Sequence, residues 1–142
     1  MSYLVPAVIA WVIAQGLKHL FGLFGRNRRI FSGEQSQILP SGGMPSVHSA
    51  AIVSFAVYVG LVDGWNSGLF GLAVLLAAIV MYDAMGVRYA SGRQGELLNR
   101  VAGLMKKPLG PIPVVHGHKP LEVLAGSVIG ALVAAIVFFT TT

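Results

Sequence analysis

Four stretches of the chain carry almost no polar side chains, and the polar residues are gathered between them. The stretches are Tyr3 to Phe24, Pro45 to Val62, Leu69 to Met85, and Pro120 to Phe139. Each approaches the roughly 20 residues that a helix needs to cross a hydrocarbon layer about 30 Å thick. A helix that is apolar on all sides belongs in a protein core or a bilayer. The pattern therefore predicts four membrane-spanning helices. The first stretch also has the apolar character of a cleavable signal, but no basic residues precede it, and Lys18 and His19 fall inside it. We read it as a retained helix.

The intervening segments differ in length and charge. Asp63-Gly64-Trp65-Asn66-Ser67-Gly68 is a short turn with a tryptophan suited to the membrane interface. Arg26, Arg28 and Arg29 open a polar connector that runs to Met44 and contains Pro40, Gly42 and Gly43. A second connector, Gly86 to Lys119, holds Arg88, Arg93, Arg100, Lys106 and Lys107. Within it Gln94 to Met105 reads as an amphipathic interfacial helix, ended by Pro108, Pro111 and Pro113. The expected fold is all-α: an integral membrane bundle of four transmembrane helices plus one short interfacial helix, forming a single domain over residues 1–142. Gly126 and Gly130 add a small-residue face on the last helix that would allow a homodimer.

Composition agrees with a bilayer. Of 142 residues, 55% are hydrophobic and 11% charged, and the mean hydropathy is +0.74; soluble domains carry about 25% charged residues. A soluble domain of this length would expose much of that apolar surface. The absence of cysteine excludes disulfides, thiolate metal sites and a thiol nucleophile. Net charge is +5, but no basic-aromatic platform for nucleic acid accompanies it. The basic connectors fit an anionic ligand or the headgroups of the lipid bilayer instead.

Four crossings put both basic connectors on one membrane face and Asp63 on the other. The positive-inside tendency makes the basic face cytoplasmic, with both termini opposite, in the plasma (inner) membrane of a multi-pass protein. The same count places Lys18, His48, Asp83, His118 and Glu122 at one depth. Ionisable groups from four helices gathered inside a membrane indicate a functional site. Lys18 has two readings, snorkelling to the headgroups or facing the bundle to hold an anion; Gln15, on the same helix face, favours the second.

The polar turn Gly42-Gly43-Met44-Pro45-Ser46-Val47-His48-Ser49 runs into the second helix. Its glycines let backbone approach a ligand, and the free N–H groups of a helix start favour an anion. Ser46 is either the helix cap or a hydroxyl donor to phosphate. Glu122 stands four residues after His118, where it either orients that imidazole or caps the helix begun at Pro120. Two histidines, one backed by an acid, together with fixed cations are what phosphoryl transfer through a covalent phosphohistidine requires. His116-Gly117-His118 with Glu122 and His48 also has the residue types of a divalent metal site, although the cationic neighbours disfavour it, and we assign neither metal nor cofactor.

Pro45-Ser46-Val47-His48 resembles the Pro-Ser-Gly-His motif of the phosphatidic acid phosphatase type 2 and haloperoxidase superfamily. His118-Lys119-Pro120-Leu121-Glu122-Val123-Leu124-Ala125-Gly126 is similar to its third motif. With Tyr82-Asp83-Ala84-Met85-Gly86-Val87-Arg88, the likeness is closest to a divergent, short, membrane-embedded branch and covers essentially the whole chain. The resemblance implies His118 as nucleophile, Glu122 as its orienting acid and His48 as general acid. Ser46 and Val47 would form part of the phosphate cradle, supported by Gly43. Lys18, Arg28, Arg29, Arg88 and Arg93 are the candidate phosphate-binding cations, with Asp83 in support. Where the superfamily has an arginine six residues before its third-motif histidine, this chain has Ile112, which turns attention to Arg88 or Arg93. The implied activity is hydrolysis of a lipid phosphomonoester or pyrophosphate; a non-catalytic binder or carrier of phosphorylated lipids would use the same site.

Overall fold

The computed structural model describes residues 3–24, 43–105, 112 and 114–141. Five helices occur among them: α1 (Leu4–Phe24), α2 (Val47–Asp63), α3 (Gly68–Met85), α4 (Val87–Gly103) and α5 (Pro120–Thr141). Leu4–Phe21, the Gly68–Gly103 stretch that contains α3, and Pro120–Thr141 are long and apolar enough to cross a membrane. At 17 residues α2 is shorter, yet it runs the full height of the bundle. At one end the Ser46 N–H, just before α2, donates to the Glu122 carbonyl at the start of α5 (2.9 Å). At the other, Tyr3 beside the start of α1 donates its hydroxyl to Asp63, the last residue of α2 (2.9 Å). The protein is thus an all-helical membrane protein whose spans alternate in direction.

α2 is the central element, packed against α1, α3 and α5. Small residues are prominent in the interior: Ala10 and Ala14 of α1, Ala50 of α2 and Ala134 of α5 are all fully buried. On α5 the leucines and isoleucines at one helical spacing turn outward. Leu121, Leu124, Val128, Leu132 and Ile136 recur at helical spacing and are exposed, whereas Val123, Gly126, Gly130, Val133 and Val137 form the buried stripe. In a bilayer, lipid tails solvate leucine as well as another helix does, so close backbone approach favours association. An alanine at Gly126 would collide with the Ser46 carbonyl, and one at Gly130 with the Ala50 carbonyl. The glycine face expected to support a homodimer is therefore occupied within the chain by α2. At the end away from the histidines, Tyr58 stacks edge-on with Tyr3 and Phe138 (6.3 and 6.4 Å between centroids), closing that side of the core.

The second connector departs most from expectation. Its helix begins at Val87, not Gln94, and so follows α3 with only Gly86 between. The Gly86 N–H still closes on the Tyr82 carbonyl (2.8 Å), but its backbone (φ −99°, ψ −87°) leaves the helical path and redirects the chain. One side of α4, marked by Gly92, Gly95, Glu96 and Asn99 at spacings of three and four, meets the irregular segment 114–118 and Ile112. Its exposed apolar side chains, Leu97, Leu98, Val101 and Leu104, lie elsewhere around the helix.

Candidate active site

The site is assembled at the ends of α1, α2, α3 and α5 and the start of α4. Gly43 has φ 82°, a conformation that glycine adopts without the steric cost of a side chain, and it turns the chain into α2. Ser46 caps the helix: its hydroxyl accepts from the Ser49 N–H (3.4 Å) and the Ser49 hydroxyl (2.8 Å). The residue is fully buried beneath α5, and Val47 is packed in the core. Both therefore contribute architecture at the foot of the site. His48, next in sequence, is exposed; the charges of Arg88, Lys18 and Asp83 act on it, as does His118.

His118 sits just before α5 and is 5% exposed. Its backbone N–H donates to the Ala84 carbonyl near the end of α3 (2.9 Å), which ties the histidine to the opposite wall. Its Nδ1 lies 3.0 Å from Glu122 Oε2. The same carboxylate oxygen accepts the Lys119 N–H (3.1 Å). Glu122 thus fulfils both sequence readings at once: it caps α5 from the third helical position and orients an imidazole. A carboxylate only accepts, so it keeps the ring proton on Nδ1 and leaves Nε2 with a free lone pair. Burial pushes the His118 imidazole below its ordinary value of 6.5; the Glu122 hydrogen bond and charge pull it back, while Lys18 and Arg88 push it further down.

Of the expected cations, Lys18 and Arg88 reach the site. Lys18 is 8% exposed, so it faces the bundle, where the Glu122 charge acts on it. Arg88, one residue into α4, is aimed by a 2.7 Å ion pair with Asp83 across the Gly86 break. Arg93 is exposed on α4 and is not among the charges acting on either histidine. Arg28 and Arg29 lie outside the described residues. His116 does not join His118: it pairs with Glu96 of α4 at 3.0 Å. Among the described residues no group of three or more His, Asp or Glu side chains is gathered as a metal ion needs.

Sequence reasoning missed the contacts that fasten the segment before His118. Asn99 donates to the Ile112 carbonyl (2.9 Å) and accepts from the Ile112 N–H (2.8 Å). The available signal was glycine at positions 92 and 95 inside a helix, a costly choice that marks close backbone approach.

A family model described as the Divergent PAP2 family matches residues 1–133. The chain is also similar to a Bacillus subtilis (strain 168) protein named an uncharacterized membrane protein, YuiD. The two are 30% identical over 119 residues, which cover 73% of this chain and 75% of that protein. No solved structure matches the chain.

Proposed function

Since the chain belongs to the Divergent PAP2 family, we propose that it is a membrane lipid-phosphate phosphatase working through a phosphohistidine intermediate. The observation that carries this reading is the His118–Glu122 pair, its histidine buried, with Nδ1 held at 3.0 Å and Nε2 left as a nucleophile. Its setting beside Lys18, Arg88 and His48 supports it further. The substrate is a phosphomonoester or pyrophosphate headgroup that enters sideways from the leaflet, since the site lies at the ends of membrane-spanning helices.

In the first step Nε2 of His118 attacks phosphorus and forms the P–N bond, while the bond to the leaving oxygen breaks and protonated His48 supplies that oxygen with its proton. Lys18 and Arg88 offset the charge on the phosphoryl oxygens. In the second step neutral His48 takes a proton from water, the water oxygen attacks phosphorus, and the P–N bond breaks to release inorganic phosphate. The net change is hydrolysis, and His48 ends protonated as it began. Glu122 stabilises the positive charge that His118 acquires on attack.

The test is phosphate release from a panel of lipid phosphomonoesters and pyrophosphates by protein reconstituted in liposomes. His118→Ala is expected to abolish release while preserving the fold; full activity in that variant overturns the mechanism. Binding of lipid phosphate by the parent protein without turnover would support the binder or carrier reading in its place.

A further inference from the structure

The segment bearing His118 has no helix or sheet of its own between Val114 and Lys119. A backbone without regular partners does not by itself hold a side chain to the sub-ångström tolerance that an in-line attack needs. Here it is fastened along one side of α4. Asn99 closes a two-bond ring on the Ile112 peptide groups (2.9 and 2.8 Å), the way one β-strand grips another. Glu96 holds His116 at 3.0 Å. Gly92 lies against the Val115 carbonyl, so that a Cβ there would stand 2.9 Å from that oxygen, and a Cβ on Gly117 would overlap the Tyr89 backbone. Beyond these contacts the His118 N–H is anchored to Ala84.

We infer that α4 is a template that positions the nucleophile, and that Asn99, which grips Ile112 six residues before His118, is a positioning residue of the reaction. The inference rests on His118 being the nucleophile. Asparagine is suited to this place because its amide presents one donor and one acceptor side by side, matching a peptide group. Aspartate accepts only, so it keeps the bond from the Ile112 N–H and sets a negative charge against the Ile112 carbonyl. Glutamine restores both functions on a longer arm. Because Asn99 touches nothing at the site, its loss leaves substrate binding intact and misplaces the attacking atom.

The experiment compares the parent with Asn99→Ala, Asn99→Asp, Asn99→Gln, Gly92→Ala and His118→Ala in liposomes. It measures kcat and KM for lipid phosphate, backbone hydrogen exchange of residues 114–118, and the His118 imidazole titration by NMR. Asn99→Ala and Asn99→Asp are expected to lower kcat by about 10- to 100-fold with KM unchanged, to speed exchange in the segment and to move the His118 titration. Asn99→Gln should recover part of kcat, and Gly92→Ala should reproduce the kcat loss by pushing from the other side. An inactive His118→Ala beside an Asn99→Ala variant with parental kcat and exchange overturns the inference. A fully active His118→Ala overturns the nucleophile assignment, and with it the positioning role of Asn99.

Discussion

Replacing Gly126 by alanine sends a methyl group into the Ser46 carbonyl, with further contacts at 3.1 Å to the Ser46 carbonyl carbon and 3.3 Å to its Cβ. Ser46 has little room to yield. Its N–H donates to the Glu122 carbonyl, its carbonyl accepts from the Ala50 N–H (3.1 Å), and its hydroxyl accepts twice from Ser49. Relief therefore requires α2 and α5 to separate, which places the cost at the upper end of the 1–3 kcal/mol range for overpacking, about 3 kcal/mol. That is roughly a hundredfold loss in the ratio of folded to unfolded protein. The assay is reversible unfolding in mixed detergent-lipid micelles, with Val128→Ala on the exposed side of the same helix as control. The control should stay within about 0.5 kcal/mol of the parent. A Gly126→Ala variant equally close to the parent would refute the α2–α5 packing described above. An unchanged oligomeric state is also expected, because the glycine face is already covered.

Other expectations follow from single contacts. Glu122→Gln replaces an acceptor with a group that can donate, freeing Nδ1 to lose its proton and Nε2 to carry it; kcat should fall by about a thousandfold or more, read as phosphate release. The His118 value is lowered by burial, so the ascending limb of kcat/KM with pH should lie below 6.5, and loss of the His48 proton sets the falling limb; Glu122→Ala, which removes the upward pull, should move the imidazole titration to lower pH. The sign for stability is the same: below 6.5 the unfolded chain takes up the proton first, so acidification favours unfolding until the folded imidazole is also protonated. Ser54 Oγ is buried without a hydrogen-bond partner among the described residues, and Ser54→Ala should leave stability unchanged or raise it by up to about 1 kcal/mol in the same micelle assay.

The fold was largely legible because bilayer thickness limits the alternatives. Runs such as Pro120 to Phe139 admit one structure, and four of them in series place the connectors on known sides. What escaped was the extent of α4. Val87 to Arg93 holds a glycine, two arginines and a serine, so it has the composition of a loop; it is helical because Gly86 turns the chain and α4 then packs along the segment leading to His118. Lys18 shows a different limit. Its distance from the helix end is equally consistent with snorkelling, and its orientation toward Glu122 depends on the neighbours of α1 at that depth.

The site was legible to the extent that its parts are local. Glu122 reaches His118 because four residues span one helical turn, a relation readable without any tertiary structure. Ser46 was a cap or a ligand from sequence alone, and the burial imposed by α5 makes it a cap in the structure. Gly126 carries the same lesson further. Spacing identified a small face, but a sequence does not record which helix fills it, and the occupant is the one that begins with Ser46 and His48. The contact that binds Gly126 to Ser46 thus also sets how far His48 stands from the His118–Glu122 pair. Small residues at this crossing govern packing and site geometry together, so substitutions that loosen α2 from α5 should lower phosphate release before they unfold the protein.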